Sequence, residues 1–167
     1  NIKNKSELFI LLYFQMTIDI KSLAPKWQKK RKEAGVYKTQ EWAGKPKYYV
    51  LDMFPYPSGA GLHVGHPKGY VASDVIARKK MLEGYNVLHP MGFDTFGLGT
   101  EQYAIDHKMK PQVVAEQNIK TYISQLEKIG FSYDWERSFS TADPKFYKWT
   151  QMIFLKFYKS YFDEKDQ

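Results

Sequence analysis

Apolar segments alternate with chain-breaking residues through the middle of the sequence, and this pattern predicts strands and helices in turn. Residues 48–54 are apolar or aromatic except for Asp52, as in a buried strand. Two prolines, a serine and two glycines then occur within residues 55–61, which argues against regular structure there. Residues 63–83 follow helical spacing. The sequence therefore predicts a strand, a turn and a helix in succession.

The helix expected over residues 63–83 has one apolar stripe, which we predict to be buried. Its members are Tyr70, Val71, Val75, Ala77, Met81 and Leu82. Pro67 is acceptable in the first turn, and Gly84 ends the helix. Residues 86–89 are expected to form a second strand, parallel to the first because a helix connects the two. This arrangement predicts an α/β fold with a parallel sheet.

Two further helices are expected after the second strand. The first starts at Pro111 and ends at Gly130. Its predicted seam consists of Ala115, Ile119, Tyr122, Leu126 and Ile129. The second has Asp143 as its cap and Pro144 in its first turn. Residues 146–162 are aromatic on most faces of this helix, so we expect it to need a covering surface from outside the 167 residues.

The segment before the first strand is polar and basic. Ser22 can cap a helix over residues 23–34 that Gly35 ends, with Pro25 in its first turn. Nine basic and three acidic residues lie between positions 16 and 47, so this segment carries most of the formal net charge of +7. Such an arm suits a polyanion such as RNA, although a helix with solvated lysines would have the same composition.

Composition excludes some classes of protein. The chain has no cysteine, which argues against a disulfide-stabilised secreted module and against thiolate zinc sites. Residues 8–14 are apolar, but a bilayer span needs about 20 residues. With 43% apolar and 17% aromatic residues, the 167-residue chain can build the core of one domain.

The turn and the start of the following helix suggest an anion site, because the first N–H groups of a helix lack partners. A dinucleotide fingerprint fails, since Gly59 and Gly61 are followed by Val64 where a third glycine is needed. A phosphate loop also fails, because Gly-Lys-Ser/Thr is absent. His63 and His66 are three residues apart with no Glu between them, unlike zincin ligands, so we expect no metal site. Two surface histidines without a ligand remain the alternative.

The string His63-Val64-Gly65-His66, placed after a strand and a Pro/Gly turn, resembles the His-Ile-Gly-His signature of class I aminoacyl-tRNA synthetases. Upstream, Met-Phe-Pro-Tyr-Pro-Ser-Gly at residues 53–59 is similar to the leucyl-tRNA synthetase family. The related valyl and isoleucyl enzymes have a triple proline with Asn here. Residues 89–98 with 101–104 resemble a second block of the family.

A third block of the same family is similar to residues 131–135 and 147–151. The resemblance runs from Met16 to the end, and Met16 is the expected natural start. It divides the chain into an upstream extension at 1–15 that is not native, a basic helical arm at 16–46, and the truncated N-terminal half of a class I catalytic domain at 47–167. The fold implied is the first half of a Rossmann-like, HUP-like nucleotide-binding domain with extra helices.

The resemblance implies roles for the signature residues. His63 and His66 would be catalytic, donating to ATP phosphate oxygens as charge develops. Gly65 would let adenine approach the backbone, because glycine has no Cβ.

It also implies a leucine site. Asp94 would bind the leucine ammonium, although a loop-capping aspartate is the alternative. Met53, Phe54 and Tyr56 would line the leucine pocket, although Met53 and Phe54 could instead be ordinary core.

Two positions depart from the family pattern. Gly99-Thr100 stands where Pro-Ala is usual, which loosens the backbone and leaves the placement of Glu101 open. Phe93 stands where Trp is usual. The 167 residues contain neither the family's Lys-Met-Ser-Lys-Ser loop nor sequence for its editing and anticodon-side domains.

The activity implied is leucine–tRNA ligation, in which ATP with Mg²⁺ activates leucine to leucyl-adenylate for transfer to tRNA(Leu). We expect a cytoplasmic monomer without a membrane partner, and weak or no activity from these 167 residues alone. A non-catalytic nucleotide- or RNA-binding module and another His-x-Gly-His nucleotidyltransferase remain alternatives.

Overall fold

The computed structural model describes residues 19–41, 44–57 and 61–161, so the extension expected at 1–15 lies outside the described residues. In chain order its elements are α1 (Ile20–Glu33), β1 (Lys47–Tyr49), α2 (Gly65–Leu82), β2 (Asn86–Leu88), β3 (Gly92–Phe93), α3 (Leu98–Asp106), α4 (Pro111–Ile129), a short 3-10 helix (Trp135–Arg137), β4 (Phe139–Ser140) and α5 (Pro144–Tyr158). The described residues divide into two compact units, one on each side of the boundary between Val36 and Tyr37. Within the described ranges, every helix is too short or too polar to cross a membrane.

The predicted parallel βαβ unit is present. Strands β1 and β2 pair in parallel with Tyr48 opposite Val87, and α2 connects them along the chain. Strands β3 and β4 form a second parallel pair, with Gly92 opposite Phe139. The predicted fold class, α/β with parallel strands, is confirmed.

The first strand is shorter than the predicted 48–54. The ladder ends at Tyr49, and one further bond of 2.9 Å joins the Val50 N–H to the Leu88 carbonyl. The partner strand β2 stops at Leu88, so residues 51–54 have no ladder to join. Met53 is 88% exposed, which is incompatible with a buried strand at that position.

Helix α1 begins three residues before the predicted start. Asp19, and not Ser22, is its cap, because the Asp19 side chain accepts from the Lys21 N–H at 3.1 Å. Pro25 consequently lies in the second turn. The predicted end is correct, since Gly35 has the positive φ of 59° that glycine adopts readily.

The predicted stripe of α2 is correct at Tyr70 and Ala77 and wrong at Val71, Val75 and Leu82. Val71, Val75 and Leu82 are 50%, 58% and 90% exposed, whereas Tyr70, Asp74 and Ala77 are buried. The buried face of α2 is rotated from the predicted stripe towards Asp74, because Asp74 is buried against Ser132 and Arg78. An apolar pattern does not reveal such polar partners.

Helices α4 and α5 both start at the predicted proline. α4 runs from Pro111 to Ile129, and its predicted stop Gly130 is the C-cap with a φ of 87°. Its seam is buried at most predicted positions, but Ile129 is half exposed. Asp143 caps α5 by accepting from the Lys145 N–H at 2.8 Å. All residues of α5 are exposed apart from the half-buried Tyr147. The expected covering surface for this helix stays a prediction.

Two apolar clusters form the core of the second unit. One lies under β1, α2 and β2, and consists of Val50, Ala77 and Val87. The larger one supports the candidate site and consists of Tyr70, Met91, Phe93, Tyr122, Leu126, Phe131 and Tyr133. Phe54 and Leu62 pack against the larger cluster, so both ends of the turn between β1 and α2 rest on it.

Candidate functional site

The predicted histidine pair lies at the N-terminus of α2. The ring centroids of His63 and His66 are 3.9 Å apart. The Gly65 N–H donates to His63 Nδ1 at 3.1 Å, and the His63 N–H donates to His66 Nδ1 at 3.3 Å. Because both Nδ1 atoms accept, each neutral ring has its proton on Nε2. The pair therefore presents two Nε2–H donors.

The electrostatics of this corner favour an anion. The N-cap residue Val64 supplies no side-chain cap to α2, and His63 Nδ1 is the side-chain acceptor of the Gly65 N–H. The aligned peptide dipoles of α2 give its N-terminus a partial positive charge. Partial burial lowers the pKa of His66, and the neighbouring His63 ring lowers that pKa further. His66 is therefore neutral at pH 7 and can donate from Nε2 without carrying a charge.

The position of the His63 ring leaves no room for a side chain at Gly65. A Cβ at this position would lie 2.8 Å from Cε1 and 2.9 Å from Nδ1 of His63. A side chain at position 65 would therefore displace the His63 ring from the pair. The predicted approach of adenine to Gly65 stays a prediction.

Asp94 directly follows β3, at the carboxyl end of a parallel strand where ligands of α/β folds gather. Its N–H donates to the Pro55 carbonyl at 3.0 Å, which joins its loop to the segment after β1. Its exposed carboxylate accepts from Thr141 Oγ1 at 3.2 Å. The carboxylate keeps further lone pairs that an ammonium could occupy.

The three candidate pocket residues have different surroundings. Met53 is exposed, so the alternative of ordinary core is wrong for it. Phe54 is partly buried and meets Phe139 edge to face at 5.5 Å. The Tyr56 hydroxyl accepts from the Thr100 N–H at 3.2 Å and from Thr100 Oγ1 at 3.3 Å.

The Gly99-Thr100 departure bears directly on this pocket. Thr100 is buried and supplies both bonds to the Tyr56 hydroxyl, one of them from a side chain that Ala would lack. The Tyr56 ring also lies where a Cβ on Gly97 would be. Helix α3 nevertheless forms from Leu98, and Glu101 lies in its first turn.

The predicted site residues form two groups, and both groups contact the larger apolar cluster. Asp94 is linked to Pro55, and hence to the segment that contains Phe54 and Tyr56. On the other side of the turn, the His66 ring lies 6.0 Å from that of Tyr122, a member of the larger cluster. Phe54 packs against the same cluster.

Sequence reasoning missed a set of polar residues beneath this edge, which we call the buried junction: Asp52, Asp74, Arg78, His89, Ser132 and Tyr133. Asp52 Oδ2 lies 3.3 Å from His89 Nε2 and accepts from the Tyr133 hydroxyl at 3.0 Å. His89 is fully buried, and its Nδ1 lies 3.3 Å from Ser132 Oγ. Asp52, the one charge in an apolar segment, was the available signal.

The second half of the buried junction is centred on Asp74. Its carboxylate accepts from the Ser132 N–H and hydroxyl at 2.5 Å each, and from Arg78 Nε at 2.6 Å. Arg78 also donates to the Tyr37 hydroxyl and the Gly130 carbonyl. The junction thus ties α2 to the end of α4 and to the segment after it.

The junction keeps Asp52 ionised. Burial by itself would raise the pKa of Asp52, but hydrogen bonds from His89, Ser73 and Tyr133 outweigh it and hold the pKa below its usual value. Burial, with the charge of Asp52 nearby, raises the pKa of Tyr70 to about 12.

Comparison with known proteins assigns the family. The model of the family "tRNA synthetases class I (M)" matches residues 48–167. This chain belongs to the class I tRNA synthetases. The parallel strands of this synthetase chain accordingly belong to a Rossmann-like catalytic domain, as predicted.

The curated relatives of this synthetase chain are leucine–tRNA ligases. The ligase of Cytophaga hutchinsonii is 58% identical over 139 residues, which are 83% of this chain and 15% of the relative. That of Parabacteroides distasonis is 54% identical over 152 residues, or 90% of this chain and 16% of the relative. The chain therefore spans about a sixth of the length of the relatives it matches.

Two solved structures match as well. One is the ternary complex of Agrobacterium radiobacter K84 agnB2 LeuRS, tRNA and LeuAMS, with a TM-score of 0.77 and 35% identity over 86% of this chain and 18% of that one. The other is Mycobacterium tuberculosis methionyl-tRNA synthetase bound by methionyl-adenylate, with a TM-score of 0.52 and 35% identity over 60% of this chain and 19% of that one.

Proposed function

We propose that this chain forms the part of a leucine–tRNA ligase that binds ATP and leucine for the synthesis of leucyl-adenylate. The observation that carries the proposal is the pair of Nε2–H donors of His63 and His66 at the N-terminus of α2. More than half of the sequence is identical to that of leucine–tRNA ligases where they align, which supports leucine as the amino acid.

In the proposed reaction, a leucine carboxylate oxygen forms a bond to the α-phosphorus of ATP. The bond from that phosphorus to the oxygen bridging to the β-phosphate breaks, and pyrophosphate leaves with the electron pair. No proton is transferred, so the protein contributes position and charge stabilisation. His63 and His66 would donate to the phosphate oxygens as negative charge moves towards pyrophosphate.

Magnesium would arrive with ATP. Among the residues that the structure describes, no three His, Cys, Asp or Glu side chains are grouped as metal ligands. Mg²⁺ commonly keeps its waters and binds through substrate phosphates, so a dedicated protein cage is not required.

Leucine would lie at the edge formed by the segments after β1 and β3. The Asp94 carboxylate would pair with the ammonium, and Phe54, Tyr56 and Met53 would surround the isobutyl group. The fixed hydroxyl of Tyr56 supports this arrangement, because Thr100 holds it from two atoms.

The basic helix α1 supports tRNA(Leu) as the second substrate. Its lysines and arginine are Lys21, Lys26, Lys29, Lys30, Arg31 and Lys32, against the single acid Glu33. Phosphate contacts supply much of the affinity of proteins for nucleic acids. We also propose a monomer that acts in the cytoplasm.

The test is calorimetric titration of the chain with a non-hydrolysable leucyl-adenylate analogue, with the isoleucyl and methionyl analogues as controls. We expect the leucyl analogue to bind at least tenfold more tightly than the others, a preference worth about 1.4 kcal/mol. His66→Ala should weaken its binding about tenfold, because one donor to the phosphate is lost. Equal binding of all three analogues would contradict the assignment of leucine.

Leucine-dependent exchange between ATP and pyrophosphate separates the alternatives. We expect weak or no exchange from the 167 residues alone. Binding of the leucyl-adenylate analogue without exchange would agree with this expectation. Nucleotide binding without any preference for leucine would favour a non-catalytic module. Exchange that depends on another acceptor would favour a different nucleotidyltransferase.

A further inference from the structure

One face of α4 holds the turn that precedes the histidine pair. Asn118 Nδ2 donates to the Pro57 carbonyl at 2.8 Å, and the Leu62 N–H donates to Gln125 Oε1 at 2.7 Å. These bonds secure the backbone before and after residues 58–60. Asn118 is 61 residues away from Pro57 along the chain, and Gln125 is 63 residues away from Leu62.

The two amide side chains and Tyr122 form a single row. Positions 118, 122 and 125 are spaced by four and three residues, so they lie on one face of a helix. The Tyr122 ring meets the His66 ring edge to face at 6.0 Å, between the two amide contacts. We call Asn118, Tyr122 and Gln125 the α4 stripe.

Gly61 shows how closely this stripe approaches the turn. A Cβ on Gly61 would lie 2.8 Å from Oε1 and 3.0 Å from Cδ of Gln125, with Nε2 nearer still. The Gln125 amide therefore lies against bare backbone, and glycine at position 61 makes the Leu62 bond possible.

The α4 stripe has no place in the binding of ATP or leucine described above. We propose that Asn118, Tyr122 and Gln125 are positioning residues for adenylate formation, which hold the turn so that His63 and His66 meet the ATP phosphates. The inference rests on the proposed function, because it assigns the stripe to the phosphate side of that same site. It predicts that loss of the stripe weakens ATP binding and leaves leucine binding unchanged.

The first test compares Gln125→Met with Gln117→Met. Both replace an amide by a thioether of similar length, but Gln117 lies on the exposed face of α4. Exchange of the Leu62 amide hydrogen, followed by NMR, should accelerate at least tenfold in Gln125→Met and stay unchanged in Gln117→Met. Gln125→Glu keeps an acceptor oxygen and should restore slow exchange.

The second readout is ligand affinity, measured separately for Mg·ATP and for leucine. Gln125→Met should raise the Kd for Mg·ATP about tenfold, as expected when the partly buried Leu62 N–H loses its acceptor, without changing the Kd for leucine. Simple loss of folding would weaken both ligands equally, so the split identifies a positioning role.

A double-mutant cycle tests the close approach at Gly61. Gly61→Ala alone should weaken Mg·ATP binding, because the new methyl group displaces the Gln125 amide. In a Gln125→Ala background the same substitution should cost at least threefold less, since the amide is gone.

The inference is overturned if Gln125→Met matches Gln117→Met in both Leu62 exchange and Mg·ATP affinity, or if leucine affinity falls in parallel. If the unsubstituted chain binds no Mg·ATP, it is the proposed function that fails. Leu62 exchange then decides by itself whether the stripe holds the turn.

Discussion

Asp52 and Asp94 both follow parallel strands, β1 and β3, yet their carboxylates have opposite surroundings. Asp52 accepts from His89 and Tyr133 and is almost covered. Asp94 is exposed and accepts from Thr141 Oγ1 at 3.2 Å. The first carboxylate has its partners supplied by the protein, and the second keeps lone pairs for a ligand.

The same division extends to the other polar residues of this edge. In the buried junction, donors and acceptors are paired with one another, and removal of one leaves another buried without a partner. At the exposed edge, His63 and His66 use their Nδ1 atoms internally and keep Nε2 for a ligand. We infer that the junction stabilises the fold, whereas the exposed groups determine binding.

The largest effect should come from Asp74→Ala in the buried junction. The substitution leaves Arg78 Nε and the Ser132 N–H without their acceptor, and breaking such a pair costs about 3 kcal/mol. Urea denaturation should show this loss of unfolding free energy. Asp106→Ala, on the exposed face of α3, is the matched control and should cost less than about 0.5 kcal/mol. Similar losses of unfolding free energy in Asp74→Ala and Asp106→Ala would contradict the stabilising role of the buried junction.

Asp94→Asn should show the reverse behaviour. It removes the charge proposed to pair with the leucine ammonium, so leucine affinity should fall about thirtyfold, equivalent to about 2 kcal/mol. The free energy of unfolding and the affinity for Mg·ATP should not change. Thr141→Val, which removes the hydroxyl that donates to Asp94, is the control for indirect effects. A large loss of unfolding free energy in Asp94→Asn would show that Asp94 stabilises the fold, as the buried junction does, and would contradict its role in leucine binding.

The smallest effect, and the most specific, is the pH dependence of Asp52. Because the folded state lowers the pKa of Asp52, its stabilising contribution is complete above the ordinary pKa of 3.8 and is lost as pH falls below it. Asp52→Asn should lower the unfolding free energy by about 1.5 kcal/mol at pH 7. Its difference from the unsubstituted chain should shrink at pH 3. A difference that stays constant from pH 7 to pH 3 would contradict this assignment.

Several features that depend on neighbouring residues could be predicted from the sequence, although the cap of α1 is Asp19 and not the predicted Ser22. Asp143 with Pro144 starts α5, Pro111 starts α4 and Gly130 ends it, because caps and left-handed glycines act within a few residues. The signature of His63, Gly65 and His66 was also contiguous and therefore visible.

Features that depend on distant partners could not be predicted. Asp52 meets Tyr133 across 81 residues, and the inward face of α2 depends on Asp74 meeting Ser132 across 58 residues. An apolar pattern places Val75 inside and Asp74 outside, which is the reverse of what the structure shows. Strand β1 ends at Tyr49 because its partner ends, which residues 48–54 do not encode.

The central claim is that the exposed edge binds an aminoacyl-adenylate while the buried junction does not take part. NMR of ¹⁵N-labelled histidines and of the Asp94 carboxyl, during titration with a non-hydrolysable leucyl-adenylate analogue, tests it most directly. We predict saturable shifts at Nε2 of His63 and His66 and at the Asp94 carboxyl, with His89 unchanged. Saturable shifts at His89 with His63, His66 and Asp94 unchanged would contradict the account.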